Sequence, residues 1–154
     1  MALDQSNQLW IWGGTLTEEQ RAQMERENVA ETFAETSQHQ HNIAPMRVKW
    51  FPSQDLEVVK VDCGVKFIVV MTKDKAGNLA LYGIQLGIDV SLDRFFGRGC
   101  TEVQGNTIYK LKVEEALLKD FACSDVSTYI LMEAGAKERN LWHFHQVNSQ
   151  HNQW

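Results

Sequence analysis

Apolar and polar residues alternate along Val58 to Cys63, where Val59, Val61 and Cys63 interleave with Lys60 and Asp62. A period of two marks a strand with one buried face. Gly64 breaks that run, and Phe67 to Met71 is nearly all apolar, a second strand. Lys73-Asp74-Lys75-Ala76-Gly77-Asn78 supplies turn chemistry, and Leu79 to Tyr82 reads as a third strand ending at Gly83. Short strands joined by tight turns predict an antiparallel meander. Met46 to Phe51, after Pro45, predicts an outer strand for it. Further on, Ile108, Lys110 and Lys112 alternate with Thr107, Tyr109, Leu111 and Val113, which predicts another outer strand. Glu114 to Leu118 reads as one helical turn, and Asp89 to Gly105 as a glycine-bearing loop.

The central pattern recurs. Leu118 to Ser124 repeats Val58 to Gly64, so that Cys123 falls 60 residues after Cys63. Thr128 to Glu133 repeats Ile68 to Lys73, and Leu141 to His145 repeats Leu79 to Gly83. Leu9-Trp10-Ile11-Trp12-Gly13 is an earlier copy of that last strand. A self-similar unit of this length, built of short strands, predicts a propeller or another radial β array. The strands give two four-stranded sheets, 46–83 and 107–145, plus the strand at 9–13.

These residues resemble the regulator of chromosome condensation repeat family. Its repeat runs as a "V-x-x-V-A-C-G" strand, an apolar strand ending in "L-T-x-x-G", then "L-Y-x-W-G" and "G-Q-L-G". The counterparts here are Val58 to Gly64, Phe67 to Thr72, Leu79 to Gly83 and Gln85-Leu86-Gly87. The match is strongest over 58–87, weaker over 9–14 and 118–133, and weakest at 141–145. The "N-x-x-G" spacer before Gln85 is lost, Gly64 becomes Ser124 in the second copy, and His143 to His145 replace the final "W-G". The resemblance implies a mainly β fold: a partial β-propeller of two four-stranded antiparallel blades with an extra N-terminal strand. It also implies a noncatalytic structural or interaction subunit, completed by other protein chains in a larger assembly. The alternative it implies is a fragment of a guanine-nucleotide exchange factor, or of another propeller-bearing regulator of a small GTPase.

The N-terminal third departs from a plain repeat. Residues 1–8 read as a polar tail, and nothing in them offers a ladder mate to Leu9–Gly13. Leu9, Trp10, Ile11 and Trp12 are therefore expected to pair with another chain. Thr17-Glu18-Glu19-Gln20 is a capping box, and the following run has no Gly or Pro. A helical insertion over 17–36 is predicted, with Val29 and Phe33 as its large apolar residues. It either packs on its own sheet or serves as a partner-binding arm. The domain then spans 9–147, and 148–154 is a second polar tail.

Bulk properties narrow the function. The 154 residues suit one ordinary domain, and a net charge of −5 gives no global attraction to nucleic acid. Phe67 to Met71 is the longest apolar run, too short to cross a bilayer, and the first ten residues lack the features of a secretory signal. Cys63, Cys100 and Cys123 are an odd, widely spaced set, with Cys63 and Cys123 expected on buried strand faces. The expected setting is intracellular and reducing, cytoplasmic first, with a cytoskeletal, ciliary or nuclear assembly also open. His39-x-His41 and His143-x-His145 lack a further ligand at metal spacing, and the glycines at 97, 99 and 105 form no nucleotide-binding fingerprint. Asp62 and Asp120 are expected to serve turns and hydrogen bonds between blades. No enzyme, metal or cofactor is expected. Arg94, Phe95, Phe96 and Arg98 combine guanidinium and aromatic groups in one loop, and Trp154 ends the polar tail; all five are candidates for contact with a partner protein, the alternative for Phe95 and Phe96 being that they fold inward as loop anchors.

Overall fold

The computed structural model describes residues 1–13, 16–33, 44–86, 99–105 and 107–133, with the backbone of 134 and 138–145. Strands β1 (Ala2–Leu3), β2 (Leu9–Ile11), β3 (Ala30–Thr32) and β4 (Met46–Val48) make an N-terminal sheet in the order β1-β2-β4-β3. A central sheet, ordered β5-β6-β7-β9-β8, holds β5 (Glu57–Cys63), β6 (Phe67–Lys73), β7 (Leu79–Gln85), β8 (Cys100–Gln104) and β9 (Ile108–Leu111). The C-terminal sheet is the meander β10 (Leu118–Cys123), β11 (Ser127–Ala134) and β12 (Glu138–His145). Helix α1 (Glu18–Arg26) precedes β3, helix α2 (Trp50–Ser53) follows β4, and a 3-10 turn occupies Glu115–Leu117. The chain is mainly β, and its sheets are antiparallel.

The sheets lie in layers, and the middle one is covered on both faces. Alternate residues of β6 and β7 go to opposite sides, as the pleat requires. Ile68, Val70, Ala80, Tyr82 and Ile84 join Leu9, Ile11, Met46 and Val48 in one core, against the N-terminal sheet. Phe67, Val69, Met71 and Leu81 join Leu118, Phe121, Ile130 and Met132 in a second core, against the C-terminal sheet. That double burial is why Phe67 to Met71 shows no alternation in the sequence. At the first core, Trp50, Phe51 and Tyr82 pack edge to face, with centroids 5.3–5.6 Å apart.

The central and C-terminal meanders share one register at an offset of 60. Cys63 stands opposite Ile68 and Phe67 opposite Gln85; Cys123 stands opposite Thr128 and Ser127 opposite His145. Each first strand also carries its irregularity at the same place, between Val58 and Lys60 and between Leu118 and Asp120.

Sheet membership differs from the expected grouping of 46–83 and 107–145. β4 pairs with β2 and β3, and β9 pairs with β7 and β8. β7 does not stop at Gly83: Ile84, fully buried, stands opposite Ile108. β8 lies within the stretch read as a glycine-bearing loop. The outer strand at Met46 stops at Val48, because Lys49 enters a helical turn that buries Trp50 and Phe51.

The strand expected to lack a ladder mate has two. Leu9, Trp10 and Ile11 stand opposite Val48, Arg47 and Met46, and Ala2 and Leu3 flank Trp10 and Leu9 on the other edge. Residues 1–8 are thus an edge strand and its turn rather than a tail. The helix expected over 17–36 is also shorter. Its start matches expectation: Thr17 Oγ1 accepts from Gln20 N at 3.2 Å and Gln20 Oε1 from Thr17 N at 2.9 Å. It ends nine residues later because Asn28 takes a left-handed conformation, φ 58°. Asn28 N then donates to Glu25 O and Val29 N to Met24 O, a Schellman end with Met24 and Val29 in the core beneath it. The helix end is fastened to the central sheet, since Gln104 Nε2 donates to Glu27 O at 2.7 Å and Thr107 Oγ1 to Glu27 Oε2 at 2.6 Å. It packs on its own sheets and is no free arm.

Polar contacts bind β5 to β10. Lys60 Nζ donates to Asp120 Oδ1 at 2.5 Å and to Phe121 O at 2.7 Å, and Asp62 accepts from Cys63 N and Cys123 N. Val65 N donates to Asp125 O at 2.9 Å. This closeness forces Gly64: a Cβ there would overlap the Phe67 ring and lie 2.7 Å from Asp125 O. Its counterpart Ser124 is exposed. Gly64→Ala is therefore expected to cost about 1–3 kcal/mol, read as a lower urea midpoint. Ser124→Ala should stay within about 0.5 kcal/mol.

A candidate interaction face on the N-terminal sheet

The pleat of the N-terminal sheet sends Leu9, Ile11, Met46, Val48 and Ala30 into the core. The other set points outward as one row across four strands: Ala2, Trp10, Arg47 and Glu31. Arg47 pairs with Glu31 across the strands, through Nη2 and, at 2.9 Å, through Nε; Lys49 lies 3.8 Å from the same carboxylate. Phe33 continues the sheet one residue past β3, its N–H donating to Pro45 O at 3.0 Å. The Trp10 and Phe33 rings meet edge to face at 5.3 Å, and the Arg47 guanidinium lies 5.3 Å over Phe33. Phe33 is 50% exposed and Trp12 47%.

Asp4 organises the adjoining turn. Its Oδ1 accepts from Ser6 N at 2.8 Å and Gln8 N at 3.0 Å, and its Oδ2 accepts from Trp10 Nε1 at 2.9 Å. The indole hydrogen bond, followed by that of Gln8, holds the carboxyl below the usual carboxylate range. Trp10, Trp12, Ala2, Leu3, Asp4 and Pro45 line an open groove of about 470 Å³. Trp12 also borders a second, largely apolar pocket of about 290 Å³, with Ile11, Leu16, Cys63 and Val65.

Of the residues expected to meet a partner, Trp10, Trp12 and Phe33 come together on this face. Leu9 and Ile11 lie beneath it, 1% and 2% exposed, and Val29 is fully buried. For these three the expectation is corrected: their own chain covers them. Arg94, Phe95, Phe96, Arg98 and Trp154 lie outside the described residues, as do His39 and His41. No sequence pattern points to Asp4, Arg47, Glu31 or Pro45, and Leu9 to Trp12 are all apolar, so their period does not say which of them face outward.

The remaining candidate chemistry is structural. Asp62 spends its carboxylate on the β5–β10 contact, and Asp120 is held low chiefly by the Lys60 hydrogen bond. Among the described residues, no three His, Cys, Asp or Glu side chains gather as a metal site, and no helix is long and apolar enough to cross a membrane. The cysteines differ from expectation. Cys63, at the end of β5, is exposed, while Cys123 is half-buried with its Sγ 3.6 Å from Thr128 Oγ1. Burial pushes the Cys123 thiol up to about 12. The fold thus favours the protonated form, a stability fully present below the ordinary thiol pKa and lost as pH rises from there through about 12.

No family model, curated protein or solved structure matches the chain.

Val29→Ser is expected to cost about 2–3 kcal/mol, whereas Phe33→Ser should cost about 1 kcal/mol or less; chemical denaturation of both variants checks this. With iodoacetamide at mildly alkaline pH, Cys63 should be alkylated before Cys123 in the folded chain. Peptide mass spectrometry reads the order, and equal rates would contradict the burial of Cys123.

Proposed function

We propose that the chain is a noncatalytic protein-interaction subunit with repeats of the chromosome-condensation-regulator type, whose N-terminal outer face is covered by another protein in a larger assembly. The observation that carries this reading is the cluster of Trp10, Trp12, Phe33 and Pro45 on a sheet whose inner face is already packed. Contiguous exposed apolar surface marks contact sites, and Trp and Arg are the residue types that dominate binding energy at them. The repeat assignment draws on the common register of the two meanders and on their matching irregularities. A partial propeller accounts for sheets stacked face to face, and closed propellers have about four to eight such blades. The noncatalytic reading draws on Asp62 and Asp120, whose oxygens are engaged between sheets.

The contact differs from the one the sequence suggested. β2 is paired on both edges, so a partner meets side chains on the face and not an open ladder. Affinity purification of the full chain, with cross-linking to map the contact, tests this. Wild type is expected to retain a stoichiometric partner cross-linked near the Trp12 face. The double variant Trp12→Ser, Phe33→Ser should lose at least about tenfold of it while keeping the wild-type circular dichroism. An unchanged partner set in the double variant would overturn the proposal.

A further inference from the structure

Three times among the described residues a cation lies close to both an aromatic ring and a carboxylate. Arg47 lies 5.3 Å over the Phe33 ring and pairs with Glu31. Lys60 Nζ lies 5.2 Å over Phe121 and 2.5 Å from Asp120 Oδ1. Lys110 Nζ lies 6.0 Å over Tyr82 and 2.6 Å from Glu115 Oε1. Each cation gains from the negative ring face and from the carboxylate together, and each keeps part of its stem in water.

The groove beside Trp10 has the ring and the carboxylate of that arrangement. Two indoles and the Asp4 carboxylate line it, together with the apolar Ala2, Leu3 and Pro45. Among the described lining residues there is no lysine or arginine. Arg47, next to it, is engaged by Glu31, by Gln8 Oε1 and by the Phe33 ring. Asp4 is fixed rather than consumed: three N–H groups hold it, and a carboxylate offers about four acceptor positions.

We infer that this groove receives an arginine side chain of the partner protein. The guanidinium lies on an indole face and donates to Asp4, while its methylene stem crosses Ala2, Leu3 and Pro45. Arginine fits better than lysine because a planar, weakly hydrated cation stacks on an indole in an open groove, where an ammonium keeps its water. The net charge of −5 favours the approach of a basic segment. This rests on the face being an interaction surface and names the chemistry of its occupant.

The test is a titration of the ¹⁵N-labelled full chain, at neutral pH and low salt, with the capped tripeptide Gly-Arg-Gly. Matched peptides carry citrulline, the uncharged isostere, or glutamate in place of arginine. The indole N–H signals of Trp10 and Trp12 are expected to shift saturably with the arginine peptide, roughly fivefold more weakly with citrulline, and not at all with glutamate. Asp4→Asn keeps an acceptor for the Ser6 and Gln8 amides but sets its NH2 against Trp10 Nε1, so binding to this variant is read at the Trp12 indole; it should narrow the gap between arginine and citrulline. Trp12→Leu keeps apolar cover and should weaken arginine binding by a similar factor. Equal responses to arginine and citrulline, or shifts confined to residues away from the groove, would overturn the inference. If the Trp12→Ser, Phe33→Ser variant loses its protein partner while the arginine peptide leaves the indoles unmoved, the face still binds a protein and this inference alone fails.

Discussion

The central sheet cannot exist by itself. Ile68 and Val70 face one way, Phe67, Val69 and Met71 the other, and every one of them is buried. A strand with two apolar faces needs a layer on each side, so the N-terminal four strands and the C-terminal meander are conditions of its stability. Each layer adds an independent core, and neither core contains the whole of β6. The polar contacts of Lys60 and Asp62 add little net energy at their exposure. They fix instead how the C-terminal meander is seated, because Asp62 joins the ends of β5 and β10 through two amides.

That constraint decides what remains for a partner. The ladder of the N-terminal sheet is closed internally on both edges of β2, and its inner side chains are spent on the first core. Among the described residues, this sheet presents outward the row Ala2, Trp10, Arg47 and Glu31, with Phe33 and Trp12 beside it. Backbone pairing at a sheet edge accepts many sequences, whereas a face of indoles, a stacked guanidinium and a fixed carboxylate selects by side chain. The location of the surface therefore changes the kind of specificity available to the protein.

The parts legible in the sequence are those set by neighbours along the chain. Alternation gave β5, the turn residues after Lys73 gave the step into β7, and Thr17 with Gln20 gave the start of α1. Pairing between distant segments left no such trace: Met46 opposite Ile11 is a contact across 35 residues, and strands as short as Ala2–Leu3 carry no period. The end of α1 was hidden for another reason. Asn28 does there what glycine more often does, and the run around it contains only helix-compatible residues. At the face, Trp10, Trp12 and Phe33 stood out as large apolar residues, but the roles of Asp4 and Glu31 depend on partners that only the fold brings close.

The two meanders of common register also show that a like backbone need not carry like contacts. Lys60, Asp62 and Gly64 of the central meander reach toward the C-terminal sheet; the residues 60 later are Asp120, Ala122 and Ser124. Asp120 answers Lys60, so it serves as the receiving half of the contact. Ala122 has no carboxylate to pass the link onward, and Ser124 carries the Cβ that Gly64 had to lack. The C-terminal sheet thus accepts a neighbour on one side without the groups that would seat a second in the same manner. Among the described residues, aromatic rings, a paired guanidinium and a fixed carboxylate gather at the N-terminal face.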